Sequence, residues 1–516
     1  MNKFSRLALV AAAGTMAITL AACSAGGSAA EPSDEGSATA PLLTLGQFVE
    51  PTSFDPAAAQ EGNYLPYYQA VYDTLILREA DGSLAPMLAT EWSWNEDLTI
   101  LTLTLRDDVT FSDGAVFDAE AAKANIEHFI ATPGPSANQA SSIASVEAVD
   151  ATTLEISLDA PDPALEFSLA NALGLMGSPD ALGTDTIAAE PVGSGPYTLD
   201  TAETLVGSEY TYVRNEDYWG EALPFDEIKF MVLTDETARV NALRSGQIDA
   251  GVFTAPATFQ ELEAAGLTVQ SQTVDWSGFV YFDRTGALNP AFEDERVREA
   301  ITLSIDKEAL VEQVALGRGE LTSQIFPTSS LSYNEAFDDD ANFAYDPEKA
   351  KELLAEAGYE DGLTIDMPIS PVFDPAIYTA IEQNLSDVGI TMERVEYGPG
   401  QTLPAVFSGK HAIMYMTLAM FNDWTTIRQY VAADAPWNPL HTEDPELTAL
   451  IEEFQNAASD EDRTAAGQEI NQWLVDSNWY GVFSRAFATY ANDADVEVEL
   501  QVQQAVPSIY NYSPAN

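Results

Sequence analysis

Alternation of apolar and polar residues marks several half-buried strands. Leu101, Leu103 and Leu105 alternate with threonines, and Leu154, Ile156 and Leu158 alternate with Glu155 and Ser157. Near the C-terminus Val496, Val498, Leu500 and Val502 repeat the pattern. Met414, Met416, Leu418 and Met420 read as a core strand by the same two-residue period. Helices are set off by punctuation. Asp346 can cap a helix with Pro347 at its first position, and Gly358 stops it after AKELLAEA. Asp306 can cap KEALVEQVAL, which ends at Gly317. Strands and helices interleave without strict βαβ alternation, which predicts α/β domains with mixed sheets.

The N-terminal pattern is different. Lys3 and Arg6 precede an apolar run from Leu7 to Ala22, which is short for a bilayer span of about 20 apolar residues. The run ends in Leu20-Ala21-Ala22-Cys23, a lipobox in which small residues suit a signal peptidase and the thiol takes the lipid. Cys23 is the chain's sole cysteine, so it has no partner for an internal disulfide. The expectation is a signal peptide over 1–22 and lipidation at Cys23. Anchoring is then through that lipid alone, on the outer face of the cell membrane. Residues 24–41, SAGGSAAEPSDEGSATAP, are small, polar and acidic, and with Cys23 they form a lipid-anchored flexible tether over 23–41. Roughly 475 residues remain, enough for two or three domains.

Charge narrows the function classes. There are 82 acidic and 21 basic residues, a net charge of −61. Loss of Lys3 and Arg6 with the signal takes this to −63. Such a surface repels phosphate backbones, so nucleic acid is excluded as a partner. The acids are spread along the whole chain and read as a solubility surface rather than as one cation site. Three scattered histidines and no usable cysteine offer no metal site, and no cofactor is expected. No G-x-S-x-G or H-E-x-x-H occurs. The GSGPY turn at 193–197 is no phosphate loop, because the lysine is missing and Pro196 removes a donor.

Several segments, taken in order, carry a family resemblance. They are FDPAAA at 54–59, the stretch 88–129 with its FSDG turn, PVGSGPYTL at 191–199, RNEDYWG at 214–220, FEDERVREAITLSIDKEALVEQVALGRG at 292–319 and YDPEKAKELLAEAGYEDG at 345–362. Together they resemble the oligopeptide and dipeptide solute-binding lipoproteins (family 5, cluster C) of ABC importers. The resemblance implies a two-lobed, periplasmic-binding-protein-like fold of type II with an additional small domain. The implied first lobe is discontinuous, over 42–78, 191–271 and 487–516. The additional domain is 79–190 and the second lobe 272–486.

For function, the resemblance implies capture of a peptide or peptide-like solute in the cleft between lobes. The protein, expected to be a monomer, would deliver it to a permease driven by ATPase subunits, with no chemistry of its own. Expected ligand-binding residues are Glu61, Asn63 and Tyr64 after the FDP turn, and Asn138 and Gln139 in the additional domain. In the second lobe they are Trp276 and Phe279, then Phe421, Asn422, Asp423 and Trp424. Peptide-binding members carry a Trp followed shortly by an Asp that pairs with the peptide amine. Here TLAMFNDW reverses that order, so either Asp423 serves from a displaced position or the anchor is missing. Trp219 and His128 read as scaffold. The alternatives are a secreted glycoside or peptide hydrolase built on a carboxylate pair, and a solute-sensing receptor or chaperone on the same fold.

Overall fold

A computed structural model describes residues 41–132, 134–338, 344–398 and 400–515. The signal peptide over 1–22, Cys23 and the tether as far as residue 40 lie outside the described residues. The described residues form one compact unit.

Its centre is a nine-stranded mixed sheet. From one edge the order is Ile413–Ala419, Thr268–Tyr281, Tyr480–Asn492, Ala250–Phe253, Leu43–Gln47, Glu227–Val232, Glu209–Arg214 and Tyr197–Leu199, and Gly319–Leu321 joins Tyr480–Asn492 off this path. Leu43–Gln47 runs parallel to both of its neighbours, and the other pairings are antiparallel. Two long strands, Thr268–Tyr281 and Tyr480–Asn492, cross from one lobe to the other as a hydrogen-bonded pair. Val269 sits opposite Ala491 in the first lobe, and Phe279 sits opposite Gly481 in the second. The ladder shifts register between Thr273 and Asp275 and again between Ser277 and Gly278. Such bulges bend and twist a strand pair, here where it passes between the lobes.

The predicted alternation of the additional domain is realised in a four-stranded antiparallel sheet, in which Leu101 faces Ile156 and Leu103 faces Leu154. Helix Ala119–Ala131, capped by Asp118, packs on it through Ile126 and Phe129. The packing does not break at residues 79 and 190. Leu103, Ile126 and Leu154 belong to the same core as Leu45, Tyr67 and Tyr212 of the first lobe. The second lobe has cores of its own, one around Phe279, Ile365 and Leu385 and another around Trp276, Met414 and Ile470. The fold is thus two-lobed and α/β, with mixed sheets and an added small sheet on one lobe.

Local chemistry explains the helix ends. Asp346 caps Pro347–Glu356 by accepting from Lys349 N at 2.9 Å, and Gly358 follows in the left-handed region at φ 87°. Asp306 caps Lys307–Ala309 as expected, but the helix then widens into a π-type turn over Leu310–Val314. Met414 and Leu418 are core, as their spacing predicted. The C-terminal strand is shorter than its pattern, Val496–Val498, because the chain leaves the ladder at Glu499, Leu500 packs on the first core and Val502 enters a turn. In the GSGPY turn a Cβ on Gly193 would lie 1.9 Å from the Val71 carbonyl oxygen. That close approach, rather than phosphate binding, requires the glycine.

Candidate functional site

The first wall of the cleft follows from the FDP turn. Asp55 accepts from Ala57 N at 2.9 Å and caps the turn Pro56–Ala58. The same carboxylate lies 2.8 Å from His128 Nε2, which fastens the additional domain to the first lobe and gives His128 its structural role. Ser136 donates to Ala59 O at 2.9 Å and holds the next loop on the same turn. Glu61 and Asn63 then reach into the space between the lobes. Gln139 donates its amide to Glu61 and accepts from Leu173 N at 2.9 Å. Burial raises the Glu61 carboxyl above its usual range, against the opposing pull of Arg78 and a hydrogen bond from Asn171. Arg78 donates to Val502 O at 2.8 Å and to Gln503 Oε1 at 3.0 Å, with its guanidinium 5.9 Å from the Phe167 ring centre.

The opposite wall begins where strand Ile413–Ala419 ends. Asn422 caps the turn Asp423–Thr426 by accepting from Thr425 N at 3.0 Å. Phe421 stacks on Tyr430 with ring centres 6.1 Å apart, and Trp424 lies nearly parallel to Phe454 at 6.1 Å. Arg428, one turn on, borders the cleft and has no hydrogen bond or ion pair among the described residues.

These walls enclose a hollow of about 530 Å³. It meets a second hollow of about 990 Å³, and the two share Asn63, Val274, Asp275 and Ala505. Phe48, Phe259, Phe373, Tyr415 and Phe487 give the larger one mainly apolar sides. Lys307 borders it with a side-chain nitrogen that has no hydrogen-bond partner among the described residues, and burial pushes its pKa down to about 7. Asp275 also has no partner among the described residues, and burial pushes it up to about 6. The volumes suit a small organic solute, and pockets of this kind combine apolar walls with a few placed polar groups.

The structure gathers Glu61, Asn63, Asn138, Gln139, Phe421, Asn422 and Trp424 at the smaller hollow. Four expected residues are placed otherwise. Trp276 and Phe279 are wholly buried in the second lobe, against Tyr480 at 5.1 Å and Phe483 at 4.9 Å. Their positions in an interior strand turn them into the core. Tyr64 packs against the core of the first lobe. Asp423 accepts from Ser330 Oγ at 2.5 Å, Ser332 N at 2.8 Å and Leu331 N at 3.3 Å. Its carboxylate is spent on bracing that loop beside a side hollow.

Sequence reasoning missed Arg78, Asp275, Arg428 and the pair Gln503 and Gln504. A signal existed for Asp275, a lone acid between Val274 and Trp276 at the point where the strand turns from half-buried to core. Among the described residues no cluster of three or more His, Cys, Asp or Glu could hold a metal ion, and no helix is long and apolar enough to cross a membrane.

Known proteins share this frame. Residues 83–433 match the family model of the bacterial extracellular solute-binding proteins, family 5, middle region. The glutathione-binding protein GsiB of Salmonella paratyphi A is 30% identical over 362 residues, which is 68% of this chain and 68% of that protein. The nickel-binding periplasmic protein of Escherichia coli is 33% identical over 302 residues, 56% of each chain. In structure, the periplasmic binding protein DppA of Helicobacter pylori in complex with the peptide STSA superposes with a TM-score of 0.77 at 21% identity, covering 93% of this chain and 99% of that one. The hydrolase alternative finds no support among these.

Proposed function

This chain belongs to the bacterial extracellular solute-binding proteins of family 5, and from that premise we propose that it captures a peptide-like solute between its lobes. It delivers the solute to an ABC importer. The observation that carries the reading is the smaller hollow. Amides of Asn63, Asn138 and Gln504, the guanidinium of Arg428 and the ring of Trp424 converge there from both lobes and from the additional domain. A solute that touches all three binds the closed form better than the open one, so binding shifts the population toward closure.

Relatives named for glutathione and for nickel are built on the same frame, so the solute is set by the side chains that line the hollow. Amides and single charges of both signs suit the polar backbone and termini of a short peptide. The hollow contains groups that bind, and the protein performs no chemistry on its cargo in this reading.

Export, lipidation at Cys23 and a monomeric state complete the proposal. The lipid would keep the receptor at the outer face of the membrane, within reach of its permease, and residues 24–41 would supply the slack. The two crossover strands support the lobe limits near residues 271 and 487. Native mass spectrometry of protein purified from its host tests the central claim. A co-purified small molecule is the expected result, and hydrolysis of peptides or glycans that is lost on changing one carboxylate would overturn it.

A further inference from the structure

Three of the four carboxylates that border the two hollows are committed to the protein. Glu61 accepts from Gln139. Asp162 accepts from Ser142 Oγ at 2.6 Å and from Ala164 N at 3.0 Å. Asp374 caps the helix Pro375–Asp387 through Ala376 N at 2.8 Å. Asp275 alone of the four has no donor among the described residues, and it borders both hollows.

Its surroundings explain the unpaired carboxylate. Asp275 follows the register shift in the first crossover strand, and its cross-strand neighbours are Ala419 on one side and Ala486 on the other. Side chains directly opposite in a ladder are near neighbours. Two alanines there bring no donor and leave room above the carboxylate. Asn63, Ala505 and Phe421 line the same hollow, and Tyr430 lies near the carboxylate, but its hydroxyl is already spent on Ala419 O at 2.7 Å. Arg428 and Lys307 also border the hollows, but neither contributes to the Asp275 shift, which burial alone causes.

We propose that Asp275 holds a positively charged group of the solute, an ammonium or guanidinium, at the junction of the two hollows. The inference rests on the solute-capture reading. Closing a dry cleft over an unpaired carboxylate is costly, and a partner cation offsets that cost. A solute that carries such a group therefore favours the closed form, and solutes without one are rejected by the carboxylate they leave unpaired. The role expected of Asp423 falls to the neighbouring strand.

The test is calorimetry on the full chain with two matched pairs of probes, trileucine with N-acetyltrileucine and agmatine with N-butylurea. At pH 7.5 the member that carries an ammonium or guanidinium should bind at least tenfold more tightly than the partner that lacks it. Asp275→Asn should abolish that difference, and the cation's affinity for the wild type should fall as pH drops below about 6, where Asp275 takes up its proton. Equal binding of both members of a pair overturns the proposal, as does an unchanged cation affinity in Asp275→Asn. So does a panel in which no cation binds. Should Asp275→Asn fold poorly, the wild-type pair comparison and its pH dependence decide alone. Native mass spectrometry separates the two levels. A solute retained from the host with a negative probe result rejects the Asp275 role and leaves solute capture standing, whereas neither solute nor probe binding rejects both.

Discussion

Trp219 donates its indole N–H to the Asp73 carboxylate across 2.7 Å. Ser194 Oγ at 2.9 Å, Tyr218 OH at 3.2 Å and Tyr510 OH at 3.4 Å converge on the same group. One buried carboxylate thus ties the GSGPY turn, the RNEDYWG motif and the C-terminal segment to the first lobe. Burial outweighs its donors and pushes Asp73 up to about 6. The folded state then keeps a proton that the unfolded chain has already lost, so this group's contribution to stability falls as pH rises from about 4 to 6 and is flat above. Urea unfolding should show a loss of about 2–3 kcal/mol from this group between pH 4 and 7 in the wild type. In Asp73→Asn that loss should be absent. Parallel pH profiles for the two proteins would contradict this assignment.

The two tryptophans of the second lobe should separate by readout. Trp424 borders the cleft and Trp276 is wholly buried. Trp424→Ala is expected to weaken binding of the co-purified solute by about 1–3 kcal/mol, measured by calorimetry, and also to lower stability, because Trp424 is itself buried against Phe454. Trp276→Ala is expected to cost about 3–5 kcal/mol of folding stability.

Gly278 sits at the second register shift of the crossover pair. A Cβ there would lie 2.3 Å from Gly481 O and 2.9 Å from Val482 Cα, both backbone atoms of the facing strand. Gly278→Ala must part the strands, and a loss of about 1–3 kcal/mol in denaturant unfolding is expected. An unchanged midpoint would mean that the ladder yields easily at this point.

Cys23→Ala should release the protein from the membrane fraction and remove the lipid mass from its N-terminal peptide. Retention of the variant in membranes would reject the lipid anchor.

The sequence displayed the scaffold more clearly than the site. Leu101, Leu103 and Leu154 announced their strands because one face of that sheet is buried and the other is not. Asp346 and Asp306 announced helix starts because capping is local. The hollow is a meeting of segments far apart in the chain, as Arg78 with Gln503 and Asp275 with Ala419 illustrate. Trp276 and Phe279 misled because a large aromatic residue suits a cleft and a core equally well. Their neighbour Asp275 was the informative residue, since a carboxylate beside a buried strand position demands an explanation.

Two hydrogen-bonded strands, rather than a pair of loose loops, join the lobes. A slide of one lobe past the other would break that ladder and strand its backbone donors, whereas a twist along the strands leaves the bonds made. The connection behaves as a torsion bar with one soft direction. Val274 and Asp275 lie on the bar and border both hollows. Both hollows are therefore hung on a single shaft, and a twist of the bar would carry a shared part of both linings with it.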